Sequence, residues 1–252
     1  MRRLIPVLLV LTACAAPLQT GVFLGGRFDI PDALVADAVP ADSMRYLLRF
    51  PPGYEPGDDL PLVVFLHGAG DDDYDSRWLT AYGFPALLTF DMLPVPDDFV
   101  VLAPQAAPGT SWDMGRQPDV VMALIDDIVA RHQLDPVVLT GVSMGGYGAW
   151  HLATRHPDRF ARVASVSGSG YGTADLPPDL DVCRLAGVEL RAYHGTDDLV
   201  ADPDLVDRAL ATWSDACRAD VDLRIVEGSG HFETIDAVYR DTSFYDWFLV
   251  TD

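Results

Sequence analysis

Apolar residues along this chain fall into two alternating rhythms. Short runs rich in valine and leucine predict strands at Ser43–Phe50, Leu62–Leu66, Phe99–Ala103, Val137–Thr140, Val163–Ser167, Glu189–Tyr193 and Val221–Val226. Between them, apolar positions spaced by three and four predict helices at Trp78–Leu88, Asp119–His132, Met144–Arg155 and Pro203–Arg218. A last helix is expected to start near Thr234, followed by a short one over Phe244–Leu249. Strands that are apolar throughout are those buried on both faces. The alternation therefore predicts an α/β fold, a mostly parallel sheet of about eight strands with helices on both faces.

The ends of the chain follow different rules. Arg2 and Arg3 precede an apolar stretch, Leu4–Leu11, which is far too short to span a bilayer. Leu11-Thr12-Ala13-Cys14 then resembles a bacterial lipoprotein cleavage box, which implies removal of a signal over residues 1–14 and a lipid on Cys14. Ala15 is not an aspartate-type retention signal, which favours the outer membrane in a two-membrane cell. Residues 15–42 mix Ala, Pro, Gly and Asp, as expected of a tether and lead-in, and residues 43–252 are expected to form one domain. Only about twenty residues separate the strand ending near Ser167 from the one starting near Val188, too few for a lid domain.

The candidate chemistry is concentrated at Gly141-Val-Ser-Met-Gly145. The apolar strand before it and the helical pattern after it make this a nucleophile elbow, with Ser143 at the turn between glycines at minus two and plus two. A serine needs a base, and the base needs an orienting carboxylate. His231 follows the alternating strand Val221–Val226 and is the expected base. The loop after Glu189–Tyr193 carries three candidate acids, Asp197, Asp198 and Asp202. The N–H of Met144, at the helix N-terminus behind the serine, is a candidate oxyanion donor.

These residues resemble the α/β-hydrolase superfamily. Within it the chain is similar to the dienelactone-hydrolase and predicted-peptidase group, and to secreted feruloyl esterases and polyhydroxybutyrate depolymerases. The likeness rests on Phe65-Leu-His-Gly-Ala-Gly70, Ala103-Pro-Gln105 with Ser111-Trp112, Leu139–Trp150, His156-Pro157 with Arg159-Phe-Ala161, and Gly230-His231 with Tyr245–Leu249. The resemblance implies an α/β-hydrolase fold without a large lid domain and an acid four residues beyond His194, namely Asp198. It also implies a second oxyanion N–H two residues beyond His67, at Ala69. His67 and His194 themselves are expected to pack or hydrogen-bond beneath the loops they open. Trp112, Tyr147 and Tyr171 are candidates for an aromatic rim that contacts substrate.

Charge narrows the partners. The chain carries a formal charge of −21 and no lysine, a surface that repels nucleic acid and anionic membrane. Asp71-Asp72-Asp73 with Asp75 is read as a solvated acidic loop rather than a calcium site, and no His/Cys cluster suggests another metal. No cofactor is implied. With Cys14 lipidated, Cys183 and Cys217 are an even pair in an exported protein, a candidate disulfide. The expectation is thus an exported, lipid-anchored, monomeric serine hydrolase of the bacterial cell envelope. Its expected substrates are short, aromatic or polymer-borne carboxylic esters, small or carried on a polysaccharide. A peptidase, an acyltransferase and a catalytically dead ligand-binding lipoprotein are the alternatives.

Overall fold

The segment Leu62–Leu66 is buried at every position, and its side chains divide between two cores. Leu62, Val64 and Leu66 enter one apolar cluster, and Val63 and Phe65 enter another on the opposite face. This is the arrangement that a strand apolar at every position requires. The computed structural model describes residues 19–31, 43–72, 75–168, 182–201 and 221–249. The expected Pro203–Arg218 helix and Cys14, Tyr171, Asp202 and Cys217 lie outside them.

The strands are β1 (Phe23–Asp29), β2 (Ser43–Arg49), β3 (Leu62–Leu66), β4 (Val100–Pro104), β5 (Val137–Val142), β6 (Arg162–Val166), β7 (Glu189–Gly195) and β8 (Val221–Val226). They form one sheet in the order β1-β2-β4-β3-β5-β6-β7-β8. The pairs β1–β2 and β2–β4 are antiparallel, and every other pair is parallel. The described α-helices are α1 (Gly83–Thr89), α2 (Gln117–His132), α3 (Met144–Arg155), α4 (His231–Arg240) and α5 (Thr242–Phe248). Residues of α2 and α3 fill one core, and residues of α1, α4 and α5 fill the other. The sheet order reverses between β3 and β5, so the crevice at their C-terminal ends is the topological switch point of the fold.

Three elements differ from the sequence-based expectation. β1 falls inside the expected tether, and Gly25-Gly26 explains why its pattern is hard to read. A Cβ on Gly26 would lie 2.3 Å from the Tyr46 ring, so the position that breaks the apolar alternation is needed for the pairing with β2. The expected helix over Trp78–Leu88 is split into a 3-10 turn, Ser76–Thr80, and α1. Pro85 has no N–H to donate and belongs in a first turn, so a helix cannot run through it. Helix α4 starts at His231 instead of Thr234, which puts the expected base on the first turn of a helix. Among the described residues, no helix is long and apolar enough to cross a membrane.

Candidate active site

The site is assembled from the chain segments that leave β3, β5, β7 and β8 at one edge of the sheet. Between β5 and α3, Ser143 has φ 53° and ψ −118°, a region that a residue with a Cβ seldom occupies. Surrounding glycines permit the turn. A Cβ on Gly141 would meet the Gly145 carbonyl oxygen at 2.2 Å, and one on Gly145 would meet the Leu66 carbonyl oxygen at 1.9 Å. The Ser143 N–H donates to the Val166 carbonyl at 2.9 Å, which pins the elbow to the end of β6.

The next residue of that segment, Ser167, donates its hydroxyl to the His231 carbonyl at 3.3 Å. Val166 and Ser167 thus tie Ser143 and His231 to adjacent positions. On the far side of His231, Nδ1 lies 2.8 Å from Asp198 Oδ2. Asp198 Oδ1 accepts the N–H groups of Val200 at 2.9 Å and Ala201 at 2.8 Å. Both carboxylate oxygens are occupied, and the Asp198 side chain has no solvent exposure. Its neighbour Asp197 is exposed and accepts from the Thr196 hydroxyl at 3.1 Å. With its carboxylate the Asp198 pair fixes the imidazole proton on Nδ1 and leaves Nε2 as the acceptor. The Ser143 hydroxyl forms no hydrogen bond among the described residues. Contacts of that kind commonly tighten only with substrate in place.

The loop after β3 is held by side chains from three other segments. His67 Nε2 accepts the Ala106 N–H at 3.0 Å, so its proton sits on Nδ1, which donates to the Gly68 carbonyl at 2.7 Å. The Gly68 N–H donates to the Tyr82 hydroxyl at 2.7 Å, and that hydroxyl donates to Asp71. Trp112 Nε1 donates to the His67 carbonyl at 2.9 Å, and Gln105 Nε2 donates to the Asp71 carbonyl at 2.6 Å. Among the described residues, the Ala69 and Met144 N–H groups donate to no loop or cap carbonyl.

Neither rival histidine is placed to act as a base. Burial, above all, pushes the His67 imidazole below its usual range, and pushes His194 down to about 4. Both are buried and neutral near pH 7, in line with a packing role. Two of the expected rim residues are buried. Trp112 is fully buried against Gly148, where an added Cβ would lie 2.5 Å from the Trp112 Cβ, and its indole N–H is used inside the loop. Tyr147 is buried too, because α3 has no exposed position from Met144 to Thr154. Tyr171 lies outside the described residues. The acidic run is also less solvated than expected: Asp72 is buried and accepts the Gly109 N–H at 2.6 Å, while Asp71 is held by Tyr82.

Large exposed apolar residues stand elsewhere around the site. Leu199 is 98 % exposed and Val200 65 % exposed, immediately after Asp198, and Phe232 is 70 % exposed, immediately after His231. The Phe232 ring meets the His231 ring edge to face at 5.3 Å. Their sequence signal was adjacency to the acid and base; Tyr82 had none, because its partners lie in a different loop. Among the described residues, no group of three or more His, Cys, Asp or Glu side chains is arranged to hold a metal ion.

With this geometry in place, comparison with known proteins identifies the family. The Esterase family model matches residues 38–234. The chain belongs to the Esterase family. The chain is 28 % identical over 146 residues to poly(3-hydroxyalkanoate) depolymerase C of Paucimonas lemoignei, covering 52 % of this chain and 33 % of that one. It is 28 % identical over 163 residues to a bifunctional acetylxylan esterase/xylanase of Neocallimastix patriciarum, covering 62 % and 22 %. Each match therefore spans a third or less of the relative's length. Among solved structures, a thermostable esterase superposes with a TM-score of 0.72 at 24 % identity, over 90 % of this chain and 62 % of that one. An α/β serine hydrolase without a lid, from Xanthomonas campestris, superposes with a TM-score of 0.60 at 14 % identity, over 94 % and 100 %. The fold of this Esterase-family member is that of the α/β hydrolases.

Proposed function

We propose that the protein is an exported serine hydrolase that cleaves carboxylic esters through an acyl-enzyme. The observation that carries this reading is the buried Asp198–His231 pair beside an elbow that holds Ser143 in strained backbone geometry. Ser143 Oγ attacks the ester carbonyl while His231 Nε2 takes its proton. Asp198 holds the imidazole and stabilises its protonated form, and the Ala69 and Met144 N–H groups receive the oxyanion. His231 then returns the proton to the leaving alcohol, and water repeats the sequence against the acyl-enzyme. The Esterase family and the carboxylic-ester chemistry named for the relatives support the same reaction.

The substrate in this reading is a short, aromatic or polymer-borne ester, small or carried on a polysaccharide. Exposed Phe232, Leu199 and Val200 beside the acid and base offer an apolar surface to its acyl or alcohol group. The Arg2-Arg3 and Leu4–Cys14 pattern supports export with lipidation at Cys14, anchoring a monomer in the bacterial cell envelope. A Cys183–Cys217 disulfide belongs to the same reading, because these two cysteines form an even pair in an exported chain once Cys14 carries the lipid. The test is a panel of p-nitrophenyl esters with feruloylated glycan, acetylated xylan and hydroxybutyrate oligomers. Turnover of one or more of these is expected, and it should be lost in Ser143→Ala. A Ser143→Ala protein with the parental rate would overturn the proposal.

A further inference from the structure

The two peptide units that precede the Ala69 nitrogen have four polar groups, and three of them are taken up by side chains. In the first unit the His67 carbonyl accepts from Trp112 Nε1, and the Gly68 N–H donates to the Tyr82 hydroxyl. In the second the Gly68 carbonyl accepts from His67 Nδ1. The fourth group is the Ala69 N–H. A trans peptide points its carbonyl and N–H in opposite directions, so holding the Gly68 carbonyl inward directs the Ala69 N–H outward. The rotation that remains is that of the first unit about Gly68, the residue least able to resist it. Trp112 opposes that rotation at the His67 carbonyl, and Tyr82 opposes it at the Gly68 N–H, the end nearer Ala69.

Its position suits the task. Tyr82 has extended backbone at the junction between the 3-10 turn and α1, and its side chain packs against the apolar cluster that includes Phe65 and Phe84. A Cβ built on Gly68 would lie 3.1 Å from the Tyr82 hydroxyl and 3.6 Å from the Ser143 Cβ, so hydroxyl and nucleophile flank the same residue. Asp71 accepts the phenol proton, which turns an oxygen lone pair toward the Gly68 N–H. Gln105 in turn holds the Asp71 backbone.

We propose that Tyr82 is a positioning residue for the oxyanion step, acting through its hydrogen bond from the Gly68 N–H, with Asp71 as its brace. The proposal rests on the ester-hydrolase reading of the same site.

The experiment compares Tyr82→Phe with the parent by steady-state kinetics on a p-nitrophenyl ester, inhibition by a trifluoromethyl ketone, and thermal unfolding. The ketone forms an oxyanion on the active serine and so reports the donor geometry directly. The expected result is a fall in kcat of about 10- to 100-fold, below or near the cost of removing a whole donor. KM should change less than about twofold, and the ketone should weaken by the same factor as kcat. An unchanged kcat, or a loss shared with KM and accompanied by a collapse in Tm, overturns the proposal. Should Tyr82→Phe fail to fold, Asp71→Asn carries the test, since it keeps the phenol and weakens its brace. The same split is required there, at severalfold, and an unchanged kcat overturns the proposal. Fluorophosphonate labelling of Ser143 in either variant keeps this outcome separate from failure of the ester-hydrolase reading.

Discussion

Asp198 holds His231 with one carboxylate oxygen, at 2.8 Å from Nδ1, and is itself held through the other by the N–H groups of Val200 and Ala201. The second set of bonds sets the angle of the first, because the carboxylate cannot rotate without breaking both. Asp197 has neither the burial nor the partners. Asp198→Ala should therefore lower kcat by about 10³- to 10⁴-fold with the fold retained. Asp197→Ala should leave kcat essentially unchanged. Purified variants assayed on one aryl ester check this, and equal losses in the two would contradict it.

Acid sensitivity should have a local source at His194. Its imidazole is lowered from 6.5 to about 4, so across that interval the unfolded chain binds a proton that the folded chain refuses. Stability from this group is full above about pH 6.5, declines as pH falls through the window, and is gone below about pH 4. The contribution is about 3 kcal/mol at most. Tm measured from pH 7 to pH 4 should fall less steeply in His194→Gln than in the parent. Parallel slopes would show that burial of His194 is not the cause.

Close backbone approach makes a sharp prediction about glycines. On Gly145 the new Cβ would meet the Leu66 carbonyl carbon and oxygen, backbone atoms that cannot move aside. Gly145→Ala should cost about 3 kcal/mol or more, or prevent folding. Gly25→Ala, where nothing lies within 4 Å, should stay within about 0.5 kcal/mol. Denaturant unfolding of the pair measures the contrast.

The exposed rim predicts an effect on binding rather than on chemistry. Phe232→Ala should raise KM for an aryl ester by roughly fivefold or more, as expected for losing about 1 kcal/mol of apolar contact, with kcat little changed. An acetyl ester of a small aliphatic alcohol should be affected less. Equal KM values for parent and variant on the aryl ester would remove Phe232 from the rim.

How much of this was legible in the sequence depends on the span of the signal. Gly141-Val-Ser-Met-Gly145 is readable because the elbow's constraints act within five consecutive residues, and α3 runs over the expected Met144–Arg155. The Asp198–His231 pairing could be anticipated because each residue closely follows a strand of the expected parallel sheet. The burial of Trp112 is not legible in the sequence, because its partners, the His67 carbonyl and Gly148, are brought to it only by the sheet order. Tyr82 was missed for the same reason: an extended tyrosine inside an apolar stretch looks helical until Pro85 and the Gly68 N–H are seen in space. β1 escaped notice because its strand character comes from its seven-residue register with β2 rather than from its own glycine-containing pattern.

The central claim is that Ser143 is a nucleophile activated by the Asp198–His231 pair. Incubation with a fluorophosphonate probe, followed by mass spectrometry of the peptides, tests it most directly. The parent should take up one probe per chain, on the peptide containing Ser143. Ser143→Ala should take up none, and His231→Ala should label far more slowly. A parent that stays unlabelled, or that labels at another serine, would contradict the account.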